Sequence, residues 1–182
     1  MIDETTQQAQ LGERSAQAKL LRELQDPWYR MSLSLLRDPD RARDATQETA
    51  LRFLKLLPQF KGNSTLTTWS MGIVINVVRE MRRSIARHDA VSVETESACG
   101  FADQQAPDRE PVERASNVEQ ATLLRAGLNE LPDRQREAIV LRFFEELSVE
   151  ETALAMNCAP GTIKATVHQA LRVLRNKLKQ LS

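Results

Sequence analysis

Apolar residues recur at intervals of three or four positions along most of the chain, which is the spacing of one face of an α-helix. The most complete stripe lies within residues 160–182. It consists of Ile163, Val167, Ala170, Leu171, Leu174, Leu178 and Leu181. Aromatic residues make up only 4% of the chain, which argues against an all-β fold. The pattern therefore predicts an all-α protein.

Three helices are expected in the N-terminal part of the chain. They are predicted near 14–36, 38–57 and 67–87. Pro27 should interrupt the first helix, because proline removes a backbone hydrogen bond inside a helix. Asp38 is placed to cap the second, with Pro39 at its first helical position and Pro58 after its end. Residues 1–11 are expected to form a frayed tail.

A change of composition marks residues 88–112. This segment is rich in small and polar residues, includes two prolines and carries six acids against one base, a net charge of −5. A segment that buries few apolar side chains stays disordered, so we expect a flexible acidic linker here. It divides the chain into two small helical domains, 12–87 and 113–182.

The C-terminal domain has the pattern of a helix-turn-helix. Its helices are predicted near 113–130, from Pro132, over 149–156 and from Pro160 onward. The apolar face of the second helix would consist of Val140, Phe143, Phe144 and Leu147. Ser148 and Glu151 form a capping box before the short third helix, and residues 157–159 make a tight turn. A short capped helix, a turn and a longer helix with a basic end is the helix-turn-helix arrangement.

Charge is unevenly distributed along the chain. The 25 basic and 25 acidic residues balance, and that balance alone argues mildly against a nucleic-acid partner. Residues 160–182, however, contain five bases and no acid, whereas residues 128–155 contain seven acids and three bases. Because DNA binding requires one positive face and not a positive protein, the last helix is a candidate for it.

The last helix would act as the recognition helix. The side opposite its apolar stripe offers groups that can reach base edges or phosphates in the major groove. They are Thr162, Lys164, Thr166, His168, Gln169 and Arg172. The alternative interpretation is an ordinary antiparallel bundle whose Lys-rich end serves solubility.

A second basic face lies on the third N-terminal helix. It consists of Arg79, Arg82, Arg83 and Arg87, with Glu80 as the one acid. Trp69 and the polar turn Lys61–Ser64 precede these arginines. Arginines beside small polar groups and an aromatic ring suit a nucleic-acid strand with unstacked bases. Alternatively, Trp69 belongs to the core and the arginines form a solvated face.

The sequence carries no recognisable motif for catalysis or metal binding. It lacks a Gly-rich phosphate loop, a G-x-S-x-G elbow and an H-E-x-x-H helix, and His88 and His168 stand alone. Cys99 and Cys158 are far apart and form no C-x-x-C pair, so inert thiols are favoured over a disulfide, a zinc site or a redox sensor. We expect no enzyme activity, no cofactor and no metal.

Membrane and export signals are also absent from the sequence. No window approaches the roughly 18 consecutive apolar residues of a membrane span, and residues 1–10 lack the basic and apolar parts of a secretory signal. A cytoplasmic protein is expected.

The order of these parts resembles bacterial RNA polymerase sigma factors of the extracytoplasmic-function (ECF) group, which have only the second and fourth sigma domains and a linker. Leu36–Phe53 resembles their core-binding segment. Phe60–Trp69, followed by Ile73, Asn76, Arg82 and Arg83, resembles their promoter-melting segment. Leu131–Phe143, Ser148–Ala153 and Gly161–Leu171 resemble their helix-turn-helix. The resemblance covers about 25–180.

This resemblance implies a transcription initiation factor that binds core RNA polymerase, directs it to promoters and assists melting of the minus-10 element. The implied polymerase-binding residues are Asp44, Gln47, Glu48, Phe53 and Leu54. Those for the minus-10 element are Lys61, Asn63, Ser64, Thr67, Trp69, Asn76, Arg79, Arg82 and Arg83. Those for the minus-35 element are Thr162, Lys164, Thr166, His168, Gln169 and Arg172. The implied partners are core RNA polymerase, promoter DNA and, as for other members, an anti-sigma protein.

Two places depart from the family pattern. Thr166 stands where relatives usually carry arginine in the recognition helix. Met71 and Gly72 stand where relatives often place an aromatic and a basic residue. A glycine inside a helix costs about 1 kcal/mol relative to alanine.

Other functions remain as alternatives to this interpretation. The first is a stand-alone helix-turn-helix regulator whose N-terminal domain senses a ligand or dimerises. In such a regulator, the polymerase-facing row and the basic melting helix within residues 39–87 would have no role. A scaffold or anti-sigma-like protein would likewise leave the basic stripe of residues 160–182 without a role.

Overall fold

The structure, a computed structural model, describes the backbone of residues 2–91 and 126–181, with side chains for 2–87 and 126–177. All regular elements in these ranges are helical, so the prediction of an all-α fold is confirmed. The N-terminal unit comprises α1 (Glu4–Gln10), α2 (Arg14–Leu36), α3 (Pro39–Leu56), a 3₁₀ turn (Leu57–Gln59) and α4 (Leu66–Val91). The C-terminal unit comprises α5 (126–130), α6 (Asp133–Ile139) with a π-helical extension (Val140–Phe144), α7 (Val149–Met156) and α8 (Pro160–Leu181).

Several predictions fall outside these ranges. Most of the acidic linker predicted at 88–112 lies there, as do Cys99 and most of the helix predicted near 113–130. The side chains of His88, Leu178 and Leu181 lie outside the described side chains.

Residues 2–11 are not a frayed tail, so that prediction was wrong for the part of the tail that the structure describes. Asp3 caps α1, because its carboxylate accepts hydrogen bonds from the backbone nitrogen and the hydroxyl of Thr6 at 2.9 and 2.7 Å. Ala9 is completely buried in the core. The helix is short, and its contacts with the rest of the N-terminal unit stabilise it.

Helix α2 continues through Pro27, contrary to the predicted interruption. Leu24, Trp28 and Met31 are buried at successive turns on both sides of the proline. A proline within a helix costs about 3 kcal/mol. Burial of these large side chains, at about 1.5–3 kcal/mol each, offsets that cost and keeps the helix continuous.

Aromatic rings form the centre of the N-terminal unit, where α2, α3 and α4 meet. Phe53 lies between Trp28 and Trp69, with ring centroids 5.2 and 5.7 Å away, and Phe60 lies 5.1 Å from Trp69. The Trp28 indole donates a hydrogen bond to the Ser70 hydroxyl at 2.9 Å, which satisfies its buried N–H. This cluster fixes α4 against α3 and positions the loop that joins them.

The helix-turn-helix forms as the capping signals predict. The Ser148 hydroxyl accepts from the Glu151 nitrogen at 3.1 Å, and the Glu151 carboxylate accepts from the Ser148 nitrogen at 2.9 Å. Helix α7 spans the predicted residues, Val149–Met156, and ends at Asn157 in the left-handed conformation with φ 51°. Pro160 then begins α8 as predicted.

The apolar face predicted around Phe143 is wrong in part. Val140 and Leu147 are buried, but Phe143 and Phe144 are 53% and 50% exposed. The π-helical turn at 140–144 explains this difference, because its wider turns rotate the following side chains away from the face that an α-helix would present. Leu171, expected within the stripe of α8, is exposed as well.

The two units pack against each other. A single core cluster combines residues from α4, such as Val74 and Ile75, with residues from α6–α8, such as Met156 and Ile163. Helix α7 lies directly on α4, where a Cβ on Gly72 would stand 3.3 Å from the carbonyl oxygen of Ala155. A smaller cluster holds the C-terminal unit together. It consists of Leu128, Leu131, Ile139, Ala170 and Leu174.

Candidate functional site

Helix α3 presents a polar row to solvent. Asp44 and Gln47 are exposed, and Glu48, one residue further, is half-buried. Leu51 continues the same face and is 66% exposed. Sequence reasoning did not select Leu51, although its place three residues after Glu48 puts it on the row.

The structure corrects the assignment of Phe53 to this row. Phe53 is fully buried between two tryptophans, so it cannot contact a partner. It follows Asp44 by nine positions, or two and a half helical turns, and therefore lies on the opposite side of α3. Leu54 is half-buried and packs against the core.

Arg52 ties this row to α4. Its guanidinium lies 2.6 Å from the carboxylate of Glu48 and 2.7 Å from that of Glu80. The hydrogen bond from Arg52 holds the pKa of Glu80 below its usual range. Glu48 is therefore held in place by an arginine that also joins the two helices.

The loop between α3 and α4 carries the small polar groups predicted to hold a base. Lys61 and Asn63 are exposed and Ser64 is half-buried, with Thr67 exposed in the first turn of α4. Trp69 is half-buried, so it contributes to the core and keeps one part accessible. The structure brings these groups together at one end of α4.

Gly62 shapes this loop. It has φ 71°, a left-handed conformation that favours glycine, and a Cβ there would lie 2.7 Å from the Cγ1 of Ile2. The N-terminal segment before α1 therefore contacts the loop directly. Sequence reasoning missed this contact because Ile2 lies in the segment expected to fray.

The predicted minus-10 residues of α4 fall on two faces. Asn76 and Arg83 are exposed. Arg79 and Arg82 instead face the C-terminal unit. The Arg79 Nε and Nη2 donate to the Glu137 carboxylate at 3.2 and 2.6 Å, and Glu137 is only 1% exposed.

Arg82 lies deeper in the same boundary. It donates to the backbone carbonyl of Leu35, and its Nη1 lies 3.1 Å from Asp133 Oδ1 and 3.8 Å from Glu137 Oε1. The Arg82 Nη1 is buried and has no hydrogen-bond acceptor in suitable geometry among the described residues. Its contacts with Asp133 and Glu137 are therefore electrostatic attractions and not hydrogen bonds. Two of the three arginines predicted for the minus-10 element thus contact acidic residues of the C-terminal unit.

Four arginines line an open cleft of about 350 Å³ at the edge of this boundary: Arg37, Arg41, Arg82 and Arg136. Arg37 donates to the carbonyl oxygen of Asn129 at 2.6 Å, and Arg136 donates to the same oxygen at 3.0 Å. Burial, together with the positive charges of Arg37 and Arg82, lowers the pKa of Arg136 to about 10. The closed boundary therefore contains repulsion as well as ion pairs.

The recognition helix presents its predicted residues to solvent. All are exposed except Thr166, which is half-buried. Ile163, Ala170 and Leu174 hold the opposite side of α8 in the core. Residues 160–177 contain no acidic residue, and Lys177 pairs with Glu130 of α5 at 2.5 Å. The exposed Lys164, Arg172 and Arg175 form a positive face that suits the phosphates of a duplex.

The described residues hold no group of three or more His, Cys, Asp or Glu side chains arranged to bind a metal ion. None of the helices within the described ranges is long and apolar enough to cross a membrane. Cys158, the one cysteine with a described side chain, is a free, half-buried thiol.

Comparison with known proteins decides the family. Residues 20–88 match the family Sigma-70 region 2, and residues 121–174 match the family Sigma-70, region 4. The chain is 34% identical over 150 residues to the ECF RNA polymerase sigma factor EcfG of Rhodopseudomonas palustris, covering 82% of this chain and 76% of that protein. The chain belongs to the ECF RNA polymerase sigma factors.

Two further similarities span nearly the whole ECF sigma factor. It is 26% identical over 184 residues to SigW of Bacillus subtilis, which covers 100% of this chain and 98% of that one. The sigma factor RpoE of Bartonella quintana, solved in complex with the anti-sigma factor NepR, has 27% identity and a TM-score of 0.69, covering 89% and 96% of the two chains. The protein is a transcription initiation factor, and the stand-alone regulator is not favoured.

Proposed function

We propose that the exposed row of α3 docks this sigma factor on core RNA polymerase. The row combines Asp44, Gln47 and Glu48 with the exposed Leu51, a mixture of acid, amide and apolar groups that suits binding of a partner helix. Arg52 holds Glu48 in position, which reduces the ordering cost of binding.

The α3–α4 loop and the basic face of α4 would hold the opened minus-10 strand. Lys61, Asn63, Ser64 and Thr67 surround one end of α4, next to the half-buried Trp69. Asn76, Arg79, Arg82 and Arg83 continue along the helix. Captured unstacked bases lower the free energy of the open duplex, so melting needs no chemical step from this protein. We infer that its contribution is binding and not catalysis.

Helix α8 would read the minus-35 element. Its exposed residues include Lys164 and Gln169, which can reach base edges, and Arg172, which can contact phosphates. The capping box of α7 and the left-handed Asn157 set the angle between the two helices. This local geometry supports the proposal that α8 enters the major groove, as the second helix of other helix-turn-helix proteins does.

An anti-sigma protein is a further proposed partner. The support is the similarity to RpoE of Bartonella quintana, which was solved in complex with the anti-sigma factor NepR. The exposed Phe143 and Phe144 offer an apolar surface for a partner on the C-terminal unit.

One observation carries the proposed function. A single chain joins the polar row of α3 and the basic α4, within the region 2 match, to an exposed helix-turn-helix within the region 4 match. The test is in vitro transcription with purified bacterial core polymerase on a library of promoters, with and without this chain. Start-site-specific RNA that depends on the chain is expected. Its absence at every promoter would contradict the proposal.

A further inference from the structure

Residues 2–11, called here the N-terminal segment, are fixed to the body of the N-terminal unit. Asp3 caps α1, and the side-chain amide of Gln17 on α2 donates to the carbonyl oxygen of Ala9 at 3.1 Å. Thr6 and Ala9 are completely buried. A helix of seven residues is too short to be stable by itself, so these contacts hold the segment in place.

Two side chains of the N-terminal segment reach the loop between α3 and α4. The Gln10 amide donates to the carbonyl oxygen of Phe60 at 2.8 Å, where this loop begins. Ile2 is half-buried and lies against Gly62, because a Cβ on Gly62 would stand 2.7 Å from the Ile2 Cγ1 and 3.3 Å from its Cδ1. The segment therefore contacts the loop at its start and at its middle.

The loop makes few other contacts that would fix its shape. Among the described residues, no hydrogen bond joins Lys61, Gly62 or Asn63 to another residue. The Ser64 hydroxyl donates to the adjacent carbonyl oxygen of Thr65 at 3.2 Å, which is a contact within the loop itself. In the part of the chain that the structure describes, the middle of the loop is therefore restrained from outside by the N-terminal segment.

We propose that Ile2 and Gln10 are positioning residues for minus-10 recognition: they hold the loop backbone so that Asn63 and Ser64 present their polar groups to the extruded base in one arrangement. This inference rests on the proposed function of the loop. A fixed arrangement of polar groups fits one base better than the others, whereas a flexible loop adapts to several. A loop that is already held also loses less conformational entropy when the base binds. The N-terminal segment thus sets base selectivity through the loop.

Removal of both contacts tests the proposal. Ile2→Ala with Gln10→Ala should reduce the preference for the best base at the position that the loop holds by about fivefold, since the loop must then be ordered on binding. The measurement is transcription with core polymerase on promoters with a randomised minus-10 element and a constant minus-35 element. The loss should be confined to the position that the loop holds and its neighbours. Ile2→Val, which retains a γ carbon, should keep the wild-type preference.

Matched controls separate positioning from a general loss of stability. Gln8→Ala with Leu11→Ala removes the same kinds of side chain from the same segment, but Leu11 is 89% exposed and the Gln8 amide reaches only Glu4. Leu128→Ala instead creates a cavity in the small core cluster of the C-terminal unit and lowers stability there. Both controls should keep the base preferences of the wild type. An equal loss of preference in either control would overturn the proposal.

The contact between Ile2 and Gly62 can be measured without DNA or polymerase. Gly62→Ala should destabilise the chain, because the new Cβ meets Ile2 and because φ is 71° at this position. Ile2→Ala removes the Cγ1 and Cδ1 atoms that the Cβ would meet. The double variant should therefore be more stable than the sum of the two single changes implies, as measured by urea unfolding. Additive changes would show that Ile2 does not hold the loop and would contradict the proposal.

The outcomes distinguish this inference from the proposed function. Asn63→Ala with Ser64→Ala changes the loop itself and should alter the preference at the same minus-10 position. If this pair alters the preference and Ile2→Ala with Gln10→Ala does not, the N-terminal segment has no positioning role and the loop keeps its proposed function. If neither pair alters the preference, the loop does not select the base, and the role of the loop and that of the segment are both overturned.

Discussion

The side-chain amide of Gln10 lies 2.8 Å from the carbonyl oxygen of Phe60 and 3.0 Å from that of Leu57, so α1 is tied to the segment that leads into the proposed base-holding loop. The two accepting residues stand 47 and 50 positions further along the chain. Leu57 begins the 3₁₀ turn, where its carbonyl oxygen also accepts from the Phe60 N–H at 3.1 Å, and Phe60 caps the end of that turn. One glutamine therefore bridges both ends of the turn.

Gln10→Ala should lower the free energy of unfolding by about 1–2 kcal/mol, because two hydrogen bonds of part-buried groups are lost. Urea unfolding of the full chain measures this change. Gln8→Ala is the control, since Gln8 lies on the same helix and its amide reaches only the exposed Glu4 at 3.3 Å. Equal midpoints for the two variants would show that α1 does not support the loop.

Asn157 holds the turn of the helix-turn-helix in a left-handed conformation, with φ 51° and ψ 58°. A β-branched residue is strained there, so Asn157→Val should destabilise the chain by about 1–2 kcal/mol. Asn157→Gly should change stability by only a few tenths of a kcal/mol, because glycine adopts this conformation freely. Thermal unfolding of the two variants side by side makes the comparison. A valine variant as stable as the glycine variant would contradict the backbone argument.

Local chemistry explains which elements the sequence predicted well. Ser148 and Glu151 cap α7 with their own side chains, and Asn157 ends it, so the bounds of α7 follow from residues within it. The start of α3 is also determined locally, because Asp38 caps the helix and Pro39 is its first residue. Helix α1 was missed because its stabilising contacts come from outside it, mostly from α2 and also from Leu57 and Phe60 about fifty positions away.

The candidate site was predictable in composition but not in arrangement. Phe53 was assigned to the polymerase-binding row because it lies close to Glu48 in the sequence. The helical period instead places Leu51 on the exposed face and Phe53 in the core. The pairing of Arg79 with Glu137 joins residues 58 positions apart. No periodicity within either unit specifies such a pair, and Gly72, which permits the close packing, looked from sequence like a helix defect.

Glu151 predicts how stability depends on pH. The Ser148 backbone N–H, then the Ser148 hydroxyl and the Thr68 hydroxyl, hold its pKa below the usual value of a glutamate. A carboxylate with a lowered pKa in the folded state stabilises the protein above the pKa of the unfolded chain, and this contribution is lost as pH falls through the folded value. Glu151→Gln should therefore flatten the loss of stability on the acid side. Urea midpoints across an acid pH series, with Glu150→Gln as control, measure the effect; parallel curves for wild type and Glu151→Gln would rule it out.

Leu51 should contribute to polymerase binding. Its exposed side chain continues the proposed docking row and would bury apolar surface against a partner helix. Leu51→Asp is expected to weaken binding of core polymerase by about tenfold or more while the fold is retained. Leu11→Asp is the matched control, because Leu11 is even more exposed and lies outside the row. Titration of labelled chain with core enzyme compares them, and equal affinities would remove Leu51 from the interface.

Lys164 and Arg172 should contribute to duplex binding through phosphate contacts. Both lie on the exposed side of α8, which stays accessible while the units are closed. Each neutralised phosphate adds about 0.9 to the slope of log affinity against log salt, so Lys164→Ala with Arg172→Ala should reduce that slope by about two. The control is Lys19→Ala with Arg22→Ala, which removes the same charge from exposed positions on α2. Binding of a mixed-sequence duplex over a salt series gives both slopes. If both double variants reduce the slope of log affinity against log salt by the same amount, α8 makes no phosphate contacts of its own and attracts DNA only through the net charge of the chain.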